Sequence, residues 1–86
     1  MEKLQQIHKR RGVNIPAMLP VMELLGQNRL LIENHLGVIF YSVKEIEVKL
    51  NGGRVIVSGE DLRLIEMSRV KLVICGRIDS LQLLGR

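Results

Sequence analysis

The feature that most constrains this chain is the alternation of apolar and polar residues that follows Pro20. It is clearest over residues 45–50 and 70–74, where every second residue is apolar. A period of two places those apolar side chains on one face of a β-strand. Valine and isoleucine together number 18, whereas alanine occurs once and the aromatics are only Phe40 and Tyr41. β-Branched residues suit pleated surfaces, so the chain is predicted to be all-β.

Turn signals recur every eight to ten residues and divide the chain after Pro20 into seven or eight short strands. The clearest is Asn51-Gly52-Gly53, where Gly52 or Gly53 is expected to adopt a positive φ. Further turns or breaks are predicted at residues 26–28, 58–61 and 66–68, at Gly76 and at residues 79–80. Short, evenly spaced strands favour a small antiparallel β-sandwich or rolled sheet. Apolar positions recurring at intervals of seven to ten leave a short β-solenoid as the alternative.

The basic charge is concentrated at the N-terminus. Of the 86 residues, the first twelve hold four cations, Lys3, Lys9, Arg10 and Arg11, against one acid. The remaining residues hold nine Lys/Arg against eight Asp/Glu. We therefore predict an irregular, basic arm over residues 1–19 and a nearly neutral β domain over residues 20–86. The arm's cations could contact an anionic surface such as a lipid membrane.

A nucleic-acid-binding role is the alternative that the basic arm raises. Proteins that bind nucleic acids usually carry a basic face on the folded domain, often with aromatic residues that stack on bases. Such a face is missing from the sequence after residue 12, and only two aromatics exist. The charge distribution therefore favours another function.

The compartment is expected to be the cytoplasm. No stretch approaches the roughly 20 apolar residues that span a bilayer, and the charged first eleven residues do not resemble a secretory signal. The single cysteine, Cys75, cannot form an internal disulfide, so nothing requires an oxidising environment.

Glu33, Asn34 and His35 are consecutive and could suggest an active or metal site. A zinc site needs three or four Cys, His or carboxylate ligands, and a nucleophile needs an oriented base. With one cysteine and two histidines, the chain offers neither, so no catalytic residue, metal or cofactor is predicted. Instead we predict a structural turn in which Asn34, His35 and Gly37 shape a corner between strands through local hydrogen bonds.

A surface for protein contacts is predicted from strands that are apolar at consecutive positions. A two-layer β domain needs only one apolar face on each sheet. Ile56, Ile65 and Val73 exceed that requirement, so they are expected to point outward and form a patch for a partner or a second copy of the chain.

Several longer stretches carry a resemblance to a known family. They are Ile15-Pro16, the run "PVMELLGQNRLLIENHLGV" from Pro20 to Val38, "VIVSGEDLRL" from Val55 to Leu64, and "VICGRIDSLQL" from Val73 to Leu83. Together they resemble the YabP/YqfC family of sporulation proteins, and the YqfC type in particular. The resemblance covers nearly all of the chain from about Gly12 onward, and its most specific part is the Glu-Asn-His-x-Gly block at residues 33–37.

The resemblance implies a small non-enzymatic protein of endospore-forming bacteria, made in the mother-cell compartment and without catalytic residues. It also implies a partner, a membrane-bound sporulation protein of the YqfD type. The expected function is therefore a β-rich interaction module that docks on a membrane-associated partner during endospore formation, with self-association as a further expectation. A small nucleic-acid-binding β-protein that uses the basic arm is the alternative.

Overall fold

The computed structural model describes residues 19–85 and contains six β-strands within them. The predicted arm, residues 1–19, lies outside the described residues except for Leu19. The strands are β1 (Val21–Leu25), β2 (Arg29–Glu33), β3 (Val38–Tyr41), β4 (Glu45–Leu50), β5 (Gly53–Met67) and β6 (Lys71–Gly85). The prediction that the chain is all-β is confirmed for residues 19–85.

All six strands belong to one open antiparallel sheet, in the order β1-β2-β6-β5-β4-β3. Its centre is a long hairpin made by β5 and β6, each 15 residues long. β4 pairs with residues 53–58 of β5, and β2 pairs with residues 71–75 of β6. Because β5 and β6 are antiparallel, β4 and β2 attach near opposite ends of the long hairpin. The antiparallel prediction is confirmed, whereas the two stacked sheets of a sandwich and the solenoid are not found, because residues 19–85 form one sheet.

The predicted number of strands, seven to eight, is wrong because two apparent turns are bends inside continuous strands. Residues 58–61 lie within β5 and residues 76–80 lie within β6, and the β5–β6 register shifts at three places. Asp61 has a φ of 55° and Gly76 a φ of 130°, as is common at β-bulges. A Cβ on Gly59 would collide with the carbonyl oxygen of Arg77. Polar and glycine residues therefore bend these strands without ending them.

The bends allow one apolar face to enclose a single core. β4 shows the alternation directly, with Ile46 and Val48 fully buried and Glu45 and Glu47 on the opposite face. The four-residue corner, residues 34–37, joins β2 to β3, although three strands separate them in the sheet order, so the sheet curls and brings its two ends together. The buried cluster draws on β2, β4, β5 and β6 and comprises Leu30, Ile32, Ile46, Val48, Leu50, Val55, Val57, Leu62, Leu72, Ile74 and Ile78.

Candidate interaction surfaces

The corner between β2 and β3, residues 34–37, begins with a backbone conformation that few residues tolerate. Asn34 has a φ of 63° and Gly37 a φ of 121°, both in the left-handed region that suits asparagine and glycine. The backbone N–H of Asn34 donates to the carbonyl of Val70 at 2.6 Å, and its side-chain Nδ2 donates to the carbonyl of Leu19 at 2.9 Å. The asparagine therefore reverses the chain and joins it to two neighbouring segments.

His35 is buried in the corner, with 7% of its surface exposed, and both of its ring nitrogens are occupied. The backbone N–H of Gly37 donates to Nδ1 at 2.9 Å, so Nδ1 accepts and Nε2 carries the proton. Nε2 then donates to the carbonyl of Ser68, also at 2.9 Å. This neutral imidazole ties the corner to the turn between β5 and β6, and neither nitrogen offers a free lone pair to a metal ion.

The corner also contacts the far half of the sheet. The N–H of Leu36 donates to the carbonyl of Lys49 at 2.8 Å, and the N–H of Lys49 donates to the carbonyl of Gly37 at the same distance. In residues 19–85, no three His, Cys, Asp or Glu side chains are grouped so that they could hold a metal ion. Chemically, the corner can fasten the two ends of the sheet together, and its polar groups are already used for that.

The hairpin between β4 and β5 contains the two glycines singled out by the sequence. Gly52 has a φ of 95°, with open space around the position of a Cβ. Gly53 has no positive φ, but a Cβ there would collide with the carbonyl oxygen of Leu84 on β6. Gly52 is therefore required for its backbone conformation, and Gly53 for the close approach of β5 and β6.

The structure does not bring Ile56, Ile65 and Val73 together as one patch. Ile56 is half-buried and lies in register with Gln82, nine positions along β6 from Val73. Val73 is only 3% exposed, although it lies outside the core cluster. Ile65 is exposed at an irregularity in the β5–β6 register. The expectation came from three strands that are apolar at consecutive positions. Register shifts between β5 and β6, together with neighbouring side chains, keep Ile56, Ile65 and Val73 apart.

The exposed apolar residues concentrate instead at strand edges, and β3 is the clearest case. β3 is the last strand of the sheet and pairs with β4 alone among residues 19–85. Phe40 and Tyr41, the two aromatic residues of the whole sequence, are adjacent on it, and each is 50% exposed. Ile39 and Val43, on either side, are also exposed. We refer to Ile39, Phe40, Tyr41 and Val43 as the β3 edge.

The turn that follows β3 holds this edge firmly in place. The hydroxyl of Ser42 accepts from the N–H groups of Lys44 and Glu45 at 3.2 and 3.0 Å. The carbonyls of Val43 and Lys44 accept from Leu62 and Gly59 of β5 at 2.7 and 3.0 Å. These bonds fix the turn against the bend of β5, so the β3 edge is presented without a loop that must be ordered on binding.

The opposite end of the sheet, β1, is apolar but interrupted by a charge. Val21, Leu24 and Leu25 are exposed, and Glu23 lies at the centre of the strand. A charged residue in an edge strand disfavours pairing with another chain. The β3 edge has no charged residue, which makes it the better candidate for a contact surface.

An exposed ion pair, Arg77 with Asp79, lies within the bend of β6. Arg77 Nε donates to Asp79 Oδ1 at 3.0 Å, and its Nη2 donates to Oδ2 at 3.2 Å. This bidentate hydrogen bond from the guanidinium lowers the pKa of the Asp79 carboxyl below its ordinary value. The same bond raises the pKa of Arg77. Both groups are exposed, so the pair shapes the surface more than it stabilises the fold.

The edge residues were missed by the sequence prediction, although one signal was available. Phe40 and Tyr41 are adjacent, so one of them must face away from the core in any strand. The predicted contacts of the basic arm, Lys3, Lys9, Arg10 and Arg11, lie outside the described residues.

Fold and surfaces together define a small all-β domain whose polar corner is structural and whose exposed features are apolar strand edges. The model of the YabP family matches residues 20–86, and the chain belongs to this family. The chain is also 30% identical over 61 residues to "Uncharacterized protein YqfC" of Bacillus subtilis (strain 168), a match covering 71% of this chain and 66% of that protein. The chain thus spans about two thirds of the relative's length.

These findings confirm the family that the sequence pointed to and associate the chain with sporulation; the family is not a known enzyme family. No solved structure matches the chain. Among residues 19–85 there is also no helix of the length and apolar character that crossing a bilayer requires.

Proposed function

We propose that this protein is a non-enzymatic interaction module of endospore formation that docks on a membrane-associated sporulation partner. The observation that carries the proposal is the β3 edge, a charge-free edge strand bearing both aromatic residues of the chain in half-exposed positions. Aromatic residues are enriched among the side chains that dominate binding at protein interfaces. Membership of the YabP family supports a role in sporulation.

The geometry favours docking by strand addition. The outer edge of β3 carries backbone donors and acceptors that no strand within residues 19–85 pairs with. A partner strand laid along it would gain main-chain hydrogen bonds, while its side chains would meet Phe40 and Tyr41 on the two faces. In register, Phe40 lies opposite Glu47 and Tyr41 opposite the buried Ile46, so the two rings do point to different faces.

The resemblance noted for the sequence suggests the partner, a membrane-bound protein of the YqfD type in the mother cell. In that arrangement the chain itself would be cytoplasmic and peripheral to the membrane, and the basic arm would assist by attracting anionic lipid. The charge distribution supports this arrangement, because residues 19–85 hold eight Lys/Arg and eight Asp/Glu, and most of the excess of basic residues lies before them. These equal numbers of basic and acidic residues also do not support the alternative that the protein binds nucleic acids.

The experiment is co-expression of the full chain with a tagged membrane-bound sporulation protein of the YqfD type, followed by purification in detergent. The wild-type chain should co-purify, and the double variant Phe40→Ser/Tyr41→Ser should be lost from the complex. Val70→Ser is the control, because Val70 is a similarly exposed apolar residue that lies in the β5–β6 turn and outside the β3 edge. Equal recovery of the double variant and the control would refute the β3 edge as the docking site.

A second measurement tests the membrane role itself. In fractionated sporulating cells, the wild-type chain should sediment with membranes, and the double variant should remain in the soluble fraction. Membrane association that is the same in cells lacking the YqfD-type partner would contradict a protein-mediated attachment.

A further inference from the structure

Among residues 19–85, the second half of β6, residues 79–85, has a neighbouring strand on one side only. It pairs with β5, whereas β2 pairs with residues 71–75 and the β1–β2 turn reaches no farther than Gly76 and Ile78. Within the part of the chain that the structure describes, no other strand pairs with this segment. We call residues 79–85 the β6 edge. Along this seven-residue segment, the backbone groups that point away from β5 have no strand partner among residues 19–85.

The apolar face of the sheet is also uncovered at the β6 edge. Leu81 and Leu83 lie in register with Val57 and Val55, and residues directly opposite on paired strands point to the same face. Both valines are fully buried, yet Leu83 is 62% exposed and Leu81 is also exposed. The inner face thus continues to the β6 edge but is not closed there.

We propose that the protein forms an antiparallel homodimer in which the β6 edges of two copies pair with each other. A two-fold axis at Gln82 would place Leu81 of one copy opposite Leu83 of the second copy, and both leucines lie on the inner face. The same register places Asp79 opposite Gly85, so no like charges face each other. Residues 80–85, "SLQLLG", carry no charge at all, which makes this segment compatible with itself.

The other free edges suit self-pairing less well. β1 has Glu23 at its centre, so an antiparallel pair centred there would bring two carboxylates together. β3 is four residues long, and its register with β4 shifts between Val38 and Phe40. The β6 edge is longer and uncharged after Asp79. Pairing there leaves β3 free in both copies, so the dimer is independent of the proposed docking site and would present it twice.

The first test is sedimentation equilibrium of the full chain from micromolar to millimolar concentration. The wild type should be a dimer that dissociates on dilution, and Leu83→Lys should raise the dimer dissociation constant by about tenfold or more. Ile39→Lys, at the similarly exposed β3 edge, should dimerise as the wild type does. Circular dichroism checks that each variant is folded. A strictly monomeric wild type, or a Leu83→Lys variant that dimerises normally, would overturn the proposal.

The second test addresses the register by charge pairing between two variants. Leu83→Lys and Leu81→Glu should each dimerise weakly alone, whereas their mixture should form a heterodimer with one Lys–Glu pair and one Leu–Leu pair. A mixture that dimerises no better than its components would overturn the pairing about Gln82. Should Leu81→Glu fail to fold, Gln82→Cys in a Cys75→Ser background decides. Mild oxidation should link two copies through position 82, whereas Arg63→Cys, at an exposed position of β5, should not be linked in the same background.

Discussion

The corner at residues 34–37 and the β3 edge lie next to each other in sequence but are built on opposite principles. In the corner, Asn34 and His35 use their side chains to bond Leu19, Ser68 and Gly37. In the β3 edge, four apolar side chains remain exposed and the outer backbone is unpaired among residues 19–85. The polar groups of the corner are hydrogen-bonded within the chain. The outer backbone groups of the β3 edge have no strand partner among residues 19–85.

The comparison of the corner with the β3 edge shows which part of a small β domain remains able to bind a partner. A cluster of polar residues attracts attention in a sequence, but hydrogen bonds within the chain consume its capacity for a ligand. An apolar edge strand still has backbone groups that can pair with another strand, and apolar side chains whose removal from water is favourable. Substitutions can test this contrast, because changes in the corner should affect stability and changes at the edge should affect binding.

The largest loss of stability is expected where the β3–β4 turn is anchored to β5. Gly59 donates to the carbonyl of Lys44, and a Cβ there would collide with the carbonyl oxygen of Arg77. Gly59→Ala should lower the free energy of unfolding by about 3 kcal/mol, since backbone must shift to accommodate the methyl group. Gly85→Ala is the control, with nothing near its Cβ, and should change stability by less than about 0.5 kcal/mol. Because Gly85 belongs to the β6 edge, the variants are compared at concentrations where the protein is monomeric. Urea denaturation of both variants measures the difference, and equal midpoints would contradict the close approach.

A smaller loss is expected when the corner loses its imidazole. His35→Ala removes the acceptor of the Gly37 N–H and the donor to Ser68, and should cost about 1–2 kcal/mol of unfolding free energy. Leu36→Ala, an exposed neighbour, should cost less than about 0.5 kcal/mol. Metal analysis of the purified wild type accompanies the denaturation measurement. Stoichiometric zinc that disappears in His35→Ala would show that the corner is a metal site after all.

The hairpin that follows β4 should be sensitive to a β-branched residue at its positive φ. Gly52→Val should destabilise the protein by more than about 1 kcal/mol, because valine is strained at a φ of 95° even where space is open. Gly52→Asn provides the comparison, since asparagine tolerates positive φ better. Thermal unfolding should rank the wild type first, the asparagine variant second and the valine variant last. Identical melting temperatures for all three would disprove the conformational requirement.

The β3 edge should tolerate substitution without loss of stability. Val43→Ser removes an exposed apolar side chain at the end of the edge and should change the free energy of unfolding by less than about 0.5 kcal/mol. The same variant should weaken recovery with the membrane partner, although less than the Phe40/Tyr41 double variant. A large loss of stability in Val43→Ser would mean that the edge belongs to the core, and the contrast with the corner would fail.

The smallest effect is expected from the exposed Arg77–Asp79 pair. Because the pKa of Asp79 is lowered in the folded protein, its contribution to stability is present above the carboxyl's ordinary, unfolded pKa. That contribution is lost as the pH falls through the lower folded value. Asp79→Asn should therefore slightly lower the melting temperature at neutral pH and leave it unchanged in strong acid, which slightly flattens the acid side of a plot of melting temperature against pH. A larger change in strong acid than at neutral pH would contradict this assignment.

Local patterns predicted much of the secondary structure but not the continuity of the strands. Alternation located β4 and the first halves of β5 and β6, and the Asn51-Gly52-Gly53 turn lies between β4 and β5 as expected. Residues 58–61 and 76–80 carry the same residue types as turns, because glycine and aspartate suit both a turn and a bulge. Only the pairing of β5 with β6 across these positions decides that the chain bends and continues.

The contact surface was harder to predict because exposure depends on neighbours far away in sequence. Val73 was expected to face outward and is nearly buried, since β2 and β5 flank it with Leu31 and Glu66. Leu83 has the same alternating pattern as a core residue but is exposed, because no strand within residues 19–85 lies beyond the β6 edge. Sequence alternation fixes which face a side chain occupies, and it carries no information about what covers that face.

The sequence by itself determined the all-β class and the positive φ expected at the corner of Asn34 and Gly37, because side-chain period and backbone conformation are local properties. It also determined the family, because the matching motifs are stretches of sequence. Tertiary structure alone decided that the six strands of residues 19–85 form one curled sheet and that His35 ties the corner to the β5–β6 turn. It also decided that β3 and the end of β6 lie at edges that no other described strand covers. These outcomes depend on which strands pair over long sequence separations, and pairing is chosen by the burial of the whole apolar face rather than by any segment alone.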